Sequence, residues 1–261
     1  MPRPLRISVV TPSFNQAAFL PRTLQSVLGQ QGEFELDYRV QDGGSRDGSV
    51  ELLERHAGRL RFKTEPDHGQ ADAVNRALRE ADGDVVGWVN SDDLLLPGAL
   101  DRVAKAFRER PGTQWVHGRC EIIDAEDRPI RRWLSAYKDR RCRRYSYRKL
   151  LLENFVSQMT VFWRRDALDA GPLDEALHYA LDYDLWLRLG KRSAPVFIDA
   201  PQAAFRWYDT SKSGARFDVQ FEEDLRVFER HAPPGDRLLR LEKRLHTAGI
   251  VAAYRVLRAF R

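Results

Sequence analysis

The chain has 261 residues, a formal net charge of +5, 43% hydrophobic and 31% charged side chains, and two cysteines, Cys120 and Cys142. That length buries a sizeable core and suits one large α/β domain with or without a helical extension. No stretch reaches the roughly 18 apolar residues of a bilayer span, no signal-peptide core opens the chain, and the isolated cysteines exclude a disulfide framework or zinc site, so a cytoplasmic place is expected.

In the first half, short apolar strands at residues 7–11, 38–42, 60–65 and 85–90 alternate with helical faces. Leu20, Leu24, Val27 and Leu28 mark the first face, Val50, Leu52 and Leu53 with His56 the second, and Ala73, Val74, Ala77 and Leu78 the third. This is the pattern of βαβ units on a largely parallel sheet, and right-handed crossovers place the four strand ends on one edge. The second half predicts strands at 115–123, 160–164 and 196–207 and a helix over 181–189. Pro233, Pro234 and Gly235 then break the chain before a basic amphipathic helix carrying Leu238, Leu241, Leu245 and Ile250 among arginines.

Each strand end carries polar chemistry that a plain turn or cap also explains. The run 85–90 stops on Asp92 and Asp93, which suit a hard divalent cation, Mg²⁺ or Mn²⁺, or equally the start of the next helix. Asp42 opens the Gly-rich loop 43–48 and can accept from a nucleobase N–H or close a tight turn. Asp67 and Asp72 flank a helix N-terminus that can face a ribose or phosphate, or serve as first-turn acids. Asp182 and Asp184 sit in the first turn of an apolar helix, where a carboxylate can take a proton from a hydroxyl or simply cap the helix. Gln158, Arg164 and Arg165 border a strand, and an Arg there can pair with a diphosphate or lie on the surface. Basic residues crowd 131–149 and 237–261 without a base-reading module, which points away from nucleic acid and towards an anionic substrate or membrane surface.

Taken together, Thr11-Pro12-Ser13-Phe14-Asn15, Asp42-Gly43-Gly44-Ser45 with Asp47-Gly48, Asp67-x-Gly69-Gln70-x-Asp72-Ala73 and Asn90-Ser91-Asp92-Asp93 resemble, in order and spacing, the family 2 glycosyltransferases. The downstream Gly171-Pro172-Leu173-Asp174-Glu175 and Asp182-Tyr183-Asp184-Leu185-Trp186 look like that family's acceptor-side signature. The resemblance covers residues 5–213. It implies a GT-A fold: a Rossmann-like nucleotide-binding half at 1–95 and an acceptor-binding half at 96–213 along one mixed central sheet, followed by a C-terminal helical extension at 214–261.

The implied reaction is inverting transfer of one sugar from a nucleotide diphosphate sugar to an acceptor hydroxyl. The implied setting is cell-surface polysaccharide or glycan synthesis on a glycan or lipid-linked acceptor. By the same resemblance, Thr11, Pro12 and Asp42 line the nucleobase pocket, Asn15, Gln70 and Asn90 belong to the donor site, and Asp67 and Asp72 lie near base or ribose. Asp92 approaches the ribose or diphosphate, Asp93 holds the cation, and Asp182 is the base, with Asp184 as the alternative. Tyr208 stands where the family commonly has His, which argues against a metal ligand in that loop. The Gln-x-x-Arg-Trp motif of processive relatives is missing, because Gln202 and Arg206-Trp207 are one residue too far apart. The rivals are a nucleotidyltransferase, whose basic Gly-rich signature is absent from residues 11–15, and a non-catalytic sugar-nucleotide-binding module. The basic C-terminal helix either packs on the domain or rests peripherally on the inner face of the membrane.

Overall fold

The computed structural model describes residues 3–167, 173–208 and 217–259. Leu5–Ser13 (β1), Phe34–Asp42 (β2), Arg61–Thr64 (β3) and Val85–Trp88 (β4) form a parallel unit in the order β3-β2-β1-β4. The same sheet continues through Phe162–Arg164 (β7), Trp115–Ile123 (β6), Val196–Arg206 (β8) and Leu94–Leu95 (β5). The β4–β7, β6–β7 and β5–β8 pairs are antiparallel and β6–β8 is parallel, so the eight-stranded sheet is mixed, as expected.

The strand period of two divides the core. In β1, Ile7 and Val9 point to one face and Val10 to the other; in β4, Val85 joins the first face and Val86 and Trp88 the second. The first face is covered by Leu20–Leu28 (α1), Ser49–Glu54 (α2) and Ala99–Glu109 (α4), through Leu24, Leu53 and Val103. The second is covered by Gln70–Glu80 (α3), Tyr147–Leu152 (α6) and Leu181–Arg192 (α7), through Val74, Leu150 and Trp186. Phe217–His231 (α8) and Arg237–Ala259 (α9) add to this layer, with Phe228 and Leu239 buried in it.

Several features differ from the sequence expectation: α4, α6 and β5 form where no element was predicted, and two further differences bear on the site. The helix Arg132–Arg143 (α5) arises from the arginine-rich stretch, where no helix was expected. The Leu181, Leu185, Leu189 face of α7 is not its only buried side: Tyr183, Trp186 and Leu187 are also buried, because α8 and α6 cover the flanks. Trp186 stacks on Trp88 with ring centroids 5.7 Å apart and on Trp115 at 6.2 Å, which pins α7 to the sheet. Both cysteines are free and buried. Among the described residues, no helix is long and apolar enough to cross a membrane.

Candidate active site

Because β1 to β4 are parallel, their C-terminal ends deliver four loops to one edge of the sheet. The loops after β1, β3 and β4 form one wall of a cleft of about 1330 Å³, and α5, the segment 153–159, the start of α7, α8 and α9 form the other. The volume exceeds that of a pocket for one drug-sized ligand, about 300–1,000 Å³. It leaves room for two substrates side by side.

On the first wall, Pro12, Asp67, Gln70, Asn90 and Asp92 border the cleft. Gln70 Nε2 donates to Asn90 Oδ1 at 2.7 Å, and Asn90 Nδ2 donates to Gln158 Oε1 at 3.2 Å, so a chain of amides fixes this floor. Gln158 Nε2 closes it on the Trp88 carbonyl at 2.6 Å. Asp67 Oδ1 accepts from Gly69 N–H at 2.8 Å, and Gly69 takes φ of +112°, a turn favouring glycine, just before α3.

Five expected donor or metal residues do not line the cleft. Thr11 is fully buried, its hydroxyl paired with Tyr38 Oη at 3.1 Å. Asp42 is fully buried too, its carboxylate accepting from the N–H groups of Gly44 and Ser45 at 3.0 and 2.8 Å, so it shapes the loop. Asn15, at φ of 52°, ties the first loop to the second: its N–H donates to Ser45 Oγ and its Oδ1 accepts from Arg46 N–H. Asp72 accepts from His68 N–H at 3.0 Å and pairs with Arg76 at 2.7 Å. Burial alone would raise its pKa; those two partners hold it below the usual carboxylate range.

Asp93 is the fifth. Its Oδ1 accepts from Arg206 N–H at 3.0 Å, its Oδ2 from Asn90 Nδ2 at 3.1 Å, and it is fully buried. The side chain expected to meet a cation therefore lies inside, and its neighbour Asp92 faces the cleft. Burial and then the adjacent Asp92 charge push the Asp93 carboxyl well above the usual range; burial also raises Asp92, against Tyr208 and Arg206. Tyr208 Oη donates to Asp92 Oδ2 at 2.8 Å, and its ring lies 4.8 Å from Phe19.

Arg206 is fully buried at the end of β8. Its Nε donates to the Asp92 carbonyl at 2.8 Å and its Nη1 to the Asp124 carbonyl at 2.8 Å. It thus fixes the backbone of the carboxylate pair from below. Among the described residues no cluster of three His, Cys, Asp or Glu forms an all-protein metal cage.

On the opposite wall, Asp182 borders the cleft and Asp184 does not. Asp184 is held by His231 Nε2 at 2.9 Å and Arg188 Nε at 2.9 Å, and despite burial these partners lower its pKa. Asp182 accepts from Tyr183 N–H at 2.7 Å, and Asn154 Nδ2 lies 3.3 Å from each of its oxygens. Burial raises the Asp182 carboxyl above the usual range in spite of these donors. One acid is thus neutralised into the scaffold, while the other keeps a carboxylate towards open space.

The C-terminal extension joins this wall. Glu223 on α8 accepts from the N–H groups of Tyr179 at 2.6 Å and Ala180 at 3.0 Å, at the entry to α7, and so fixes the turn from which Asp182 projects. Lys243 on α9 donates to the Leu152 carbonyl at 3.1 Å. Asp224 also borders the cleft and faces Lys243 and Asp182; burial pushes its carboxyl up to about 7. Glu223 and Asn154 carried no local sequence signal, since their hydrogen-bond partners at the start of α7 lie 28 or more residues away. The segments 171–172 and 209–213 of the expected signatures lie outside the described residues.

The glycosyl transferase family 2 model matches residues 8–170. The chain is 31% identical over 204 residues to the uncharacterized protein MT1568 of Mycobacterium tuberculosis (strain CDC 1551 / Oshkosh), covering 74% of this chain and 64% of that protein. It is 27% identical over 188 residues to a chondroitin synthase of Escherichia coli, covering 71% of this chain and 26% of the synthase. The chain therefore spans less than two thirds of the length of these relatives.

Two solved structures share the fold. S. aureus TarS 1-349 in complex with UDP-GlcNAc superimposes with a TM-score of 0.64 at 16% identity, over 91% of this chain and 69% of that one. The mannosyltransferase PcManGT from Pyrobaculum calidifontis, in complex with GDP-Man and Mn²⁺, gives 0.61 at 17% identity, over 97% and 80%. The mixed sheet, its loop-bearing edge and the family match across more than half of the chain agree: the fold is GT-A, and the chain belongs to glycosyl transferase family 2.

Proposed function

We propose that the protein transfers one sugar, with inversion, from a nucleotide diphosphate sugar to a hydroxyl of a glycan or lipid-linked acceptor, in cell-surface polysaccharide or glycan synthesis. The observation that carries this reading is a single cleft with Asp92 on the wall built by the β1, β3 and β4 loops and Asp182 on the wall built by α7. Inversion by one displacement needs a base and a leaving-group site on opposite sides of the reacting carbon. Solved relatives in complex with UDP-GlcNAc and with GDP-Man and Mn²⁺ support a donor of this class.

In this reading Pro12 and Asp67 border base and ribose, with Thr11, Asn15, Asp42 and Asp72 shaping the loops around them. Gln70 and Asn90 floor the donor site. The pair Asp92 and Asp93 takes the diphosphate end, Asp92 presenting its carboxylate and Asp93 locking the turn beneath it. A carboxylate bordering the cleft fits Mg²⁺ or Mn²⁺, which bind through one or two carboxylates plus substrate phosphates and need no full protein cage. Such a cation, when bound, neutralises charge on the departing diphosphate.

Asp182 takes the proton of the acceptor hydroxyl while the acceptor oxygen bonds to the anomeric carbon from the face opposite the leaving group. The bond from that carbon to the diphosphate oxygen breaks, and the electron pair leaves with the nucleoside diphosphate. Asn154 is a positioning residue that aims the Asp182 carboxylate.

Thermal-shift measurement of the whole chain against UDP- and GDP-sugars with Mn²⁺ tests the donor reading, since a true donor stabilises by mass action. One nucleotide sugar is expected to raise Tm and to release free nucleoside diphosphate when acceptor is added. Stabilisation by none of them overturns sugar transfer; stabilisation without turnover on any acceptor leaves a binding module.

A second expectation concerns pH. Burial raises Asp182, with Asn154 and Lys138 pulling its pKa down and Asp224 facing it from α8. The base works only when ionised, so turnover falls as pH drops through a value above the ordinary Asp range. Asn154→Ala removes a donor to the carboxylate, so the acid limb of the kcat profile moves to higher pH and kcat at neutral pH drops by about tenfold, within the range of general-base effects. An unmoved limb in that variant removes Asn154 from the positioning role.

A further inference from the structure

Six large hydrophobic side chains are strongly exposed among the described residues, and five of them lie on α5 and α9. On α9, Leu238, Leu241 and Leu245 recur at i, i+3 and i+7 and are 63%, 53% and 65% exposed. Exposed Ala248, Gly249 and Ala252 continue the same side, and exposed Arg237 and Arg244 border it. This side does not hold the helix in place. The opposite one does, through buried Leu239 and through Lys243, bonded to the Leu152 carbonyl. A helix apolar on both sides has a second surface to cover.

On α5, Trp133 is 65% exposed and Tyr137 follows one turn later, with exposed Arg132 and Arg140 beside them. The two helices are tied together. Glu153 accepts from Tyr137 Oη at 2.9 Å, forms an ion pair with Arg141 Nε at 3.1 Å on α5, and faces His246 on α9 at 3.6 Å. Both helices also border the Asp182 end of the cleft, through Tyr137, Lys138, His246 and Ile250.

We propose that α5 and α9 form a docking face for an anionic bilayer surface, which brings the acceptor end of the cleft to a lipid-linked acceptor. Leucines on one side of a helix enter the acyl boundary, Trp and Tyr settle at headgroup level, and arginines pair with lipid phosphates. This chemistry selects lipid over a second copy of the chain: a two-fold contact through the leucine stripe sets the Arg237 and Arg244 borders against their own copies. The face also carries the peripheral inner-membrane placement expected from the sequence. Docking stands independently of sugar transfer; only its consequence for the acceptor rests on that reading.

The test is co-sedimentation of the full chain with phosphatidylcholine vesicles, with and without phosphatidylglycerol. Binding is expected with the anionic vesicles, weaker in high salt, and lowered about tenfold or more in Leu238→Ser/Leu241→Ser/Leu245→Ser. Arg237→Gln/Arg244→Gln is expected to reduce binding and its salt dependence. The leucine variant should keep the native Tm and turnover on a soluble acceptor. Equal pelleting of native and leucine-variant protein overturns the proposal, as does failure of the native chain to bind anionic vesicles, or a dimer in ultracentrifugation that the leucine variant abolishes. Vesicle binding without nucleotide-sugar binding instead sinks sugar transfer and leaves the docking face standing.

Discussion

Asp182→Asn is expected to lower kcat about 10³-fold while donor affinity stays native. A positioned general base contributes about 10²–10⁴ in rate, and here the cleft offers one carboxylate from α7 for that task. Asn has the same shape and can still accept from Tyr183 N–H, so the bond that fixes the side chain survives. What it cannot do is take the proton. Donor binding, on the other wall, should give the native thermal shift. Asp184→Asn makes the contrast: it disturbs the contact with His231 and Arg188, away from the cleft. Its expected cost is stability, about 1–3 kcal/mol for a buried charge-assisted network, with kcat of the folded fraction preserved. Measuring kcat and Tm for both variants separates the two acids. Native turnover in Asp182→Asn removes the base assignment, and a collapse of kcat in a stable Asp184→Asn transfers it.

The strands of the parallel unit were legible because alternation and polar strand ends are local signals. Residues 7–11, 38–42, 60–65 and 85–90 fall on β1 to β4 with small shifts at their ends. Which side chain of each motif faces the cleft was not legible. Asp42 and Asp72 carry the expected residue type, but their carboxylates serve neighbouring N–H groups, an outcome that spacing cannot separate from ligand contact. The adjacent acids Asp92 and Asp93 point to different sides of one turn, and only the return of β8 with Arg206 decides which is buried. Likewise α5 was hidden by its arginines, which mask an apolar period, and the cap from Glu223 onto the entry of α7 spans more than 40 residues. The stripe of α9 was visible, though not its division: Leu238, Leu241 and Leu245 face out while Ile250 turns to the cleft.

The second large effect is expected at the carboxylate pair, where two substitutions should fail by different routes. Asp92→Ala removes the carboxylate that borders the cleft, so donor affinity in Mn²⁺ should fall about 100-fold and Mn²⁺ should no longer enhance binding, because direct phosphate-side neutralisation is lost. Its Tm without ligand should change little, since relief of a buried charge offsets the loss of the acceptor for the Tyr208 hydroxyl. Asp93→Ala instead strips the partner from the buried Arg206 N–H and one of the two acceptors of Asn90 Nδ2, which keeps Gln158. Leaving the buried Arg206 N–H unpaired costs about 1–3 kcal/mol, so Tm should fall, and donor binding should weaken as the turn beneath Asp92 loosens. Asn at position 93 keeps an acceptor for Arg206 and should recover part of the stability. A Mn²⁺ titration read beside Tm distinguishes these outcomes. Retained metal-dependent binding in Asp92→Ala, with its loss in an Asp93→Ala protein of native Tm, returns the cation to Asp93 and requires that turn to open when the donor binds.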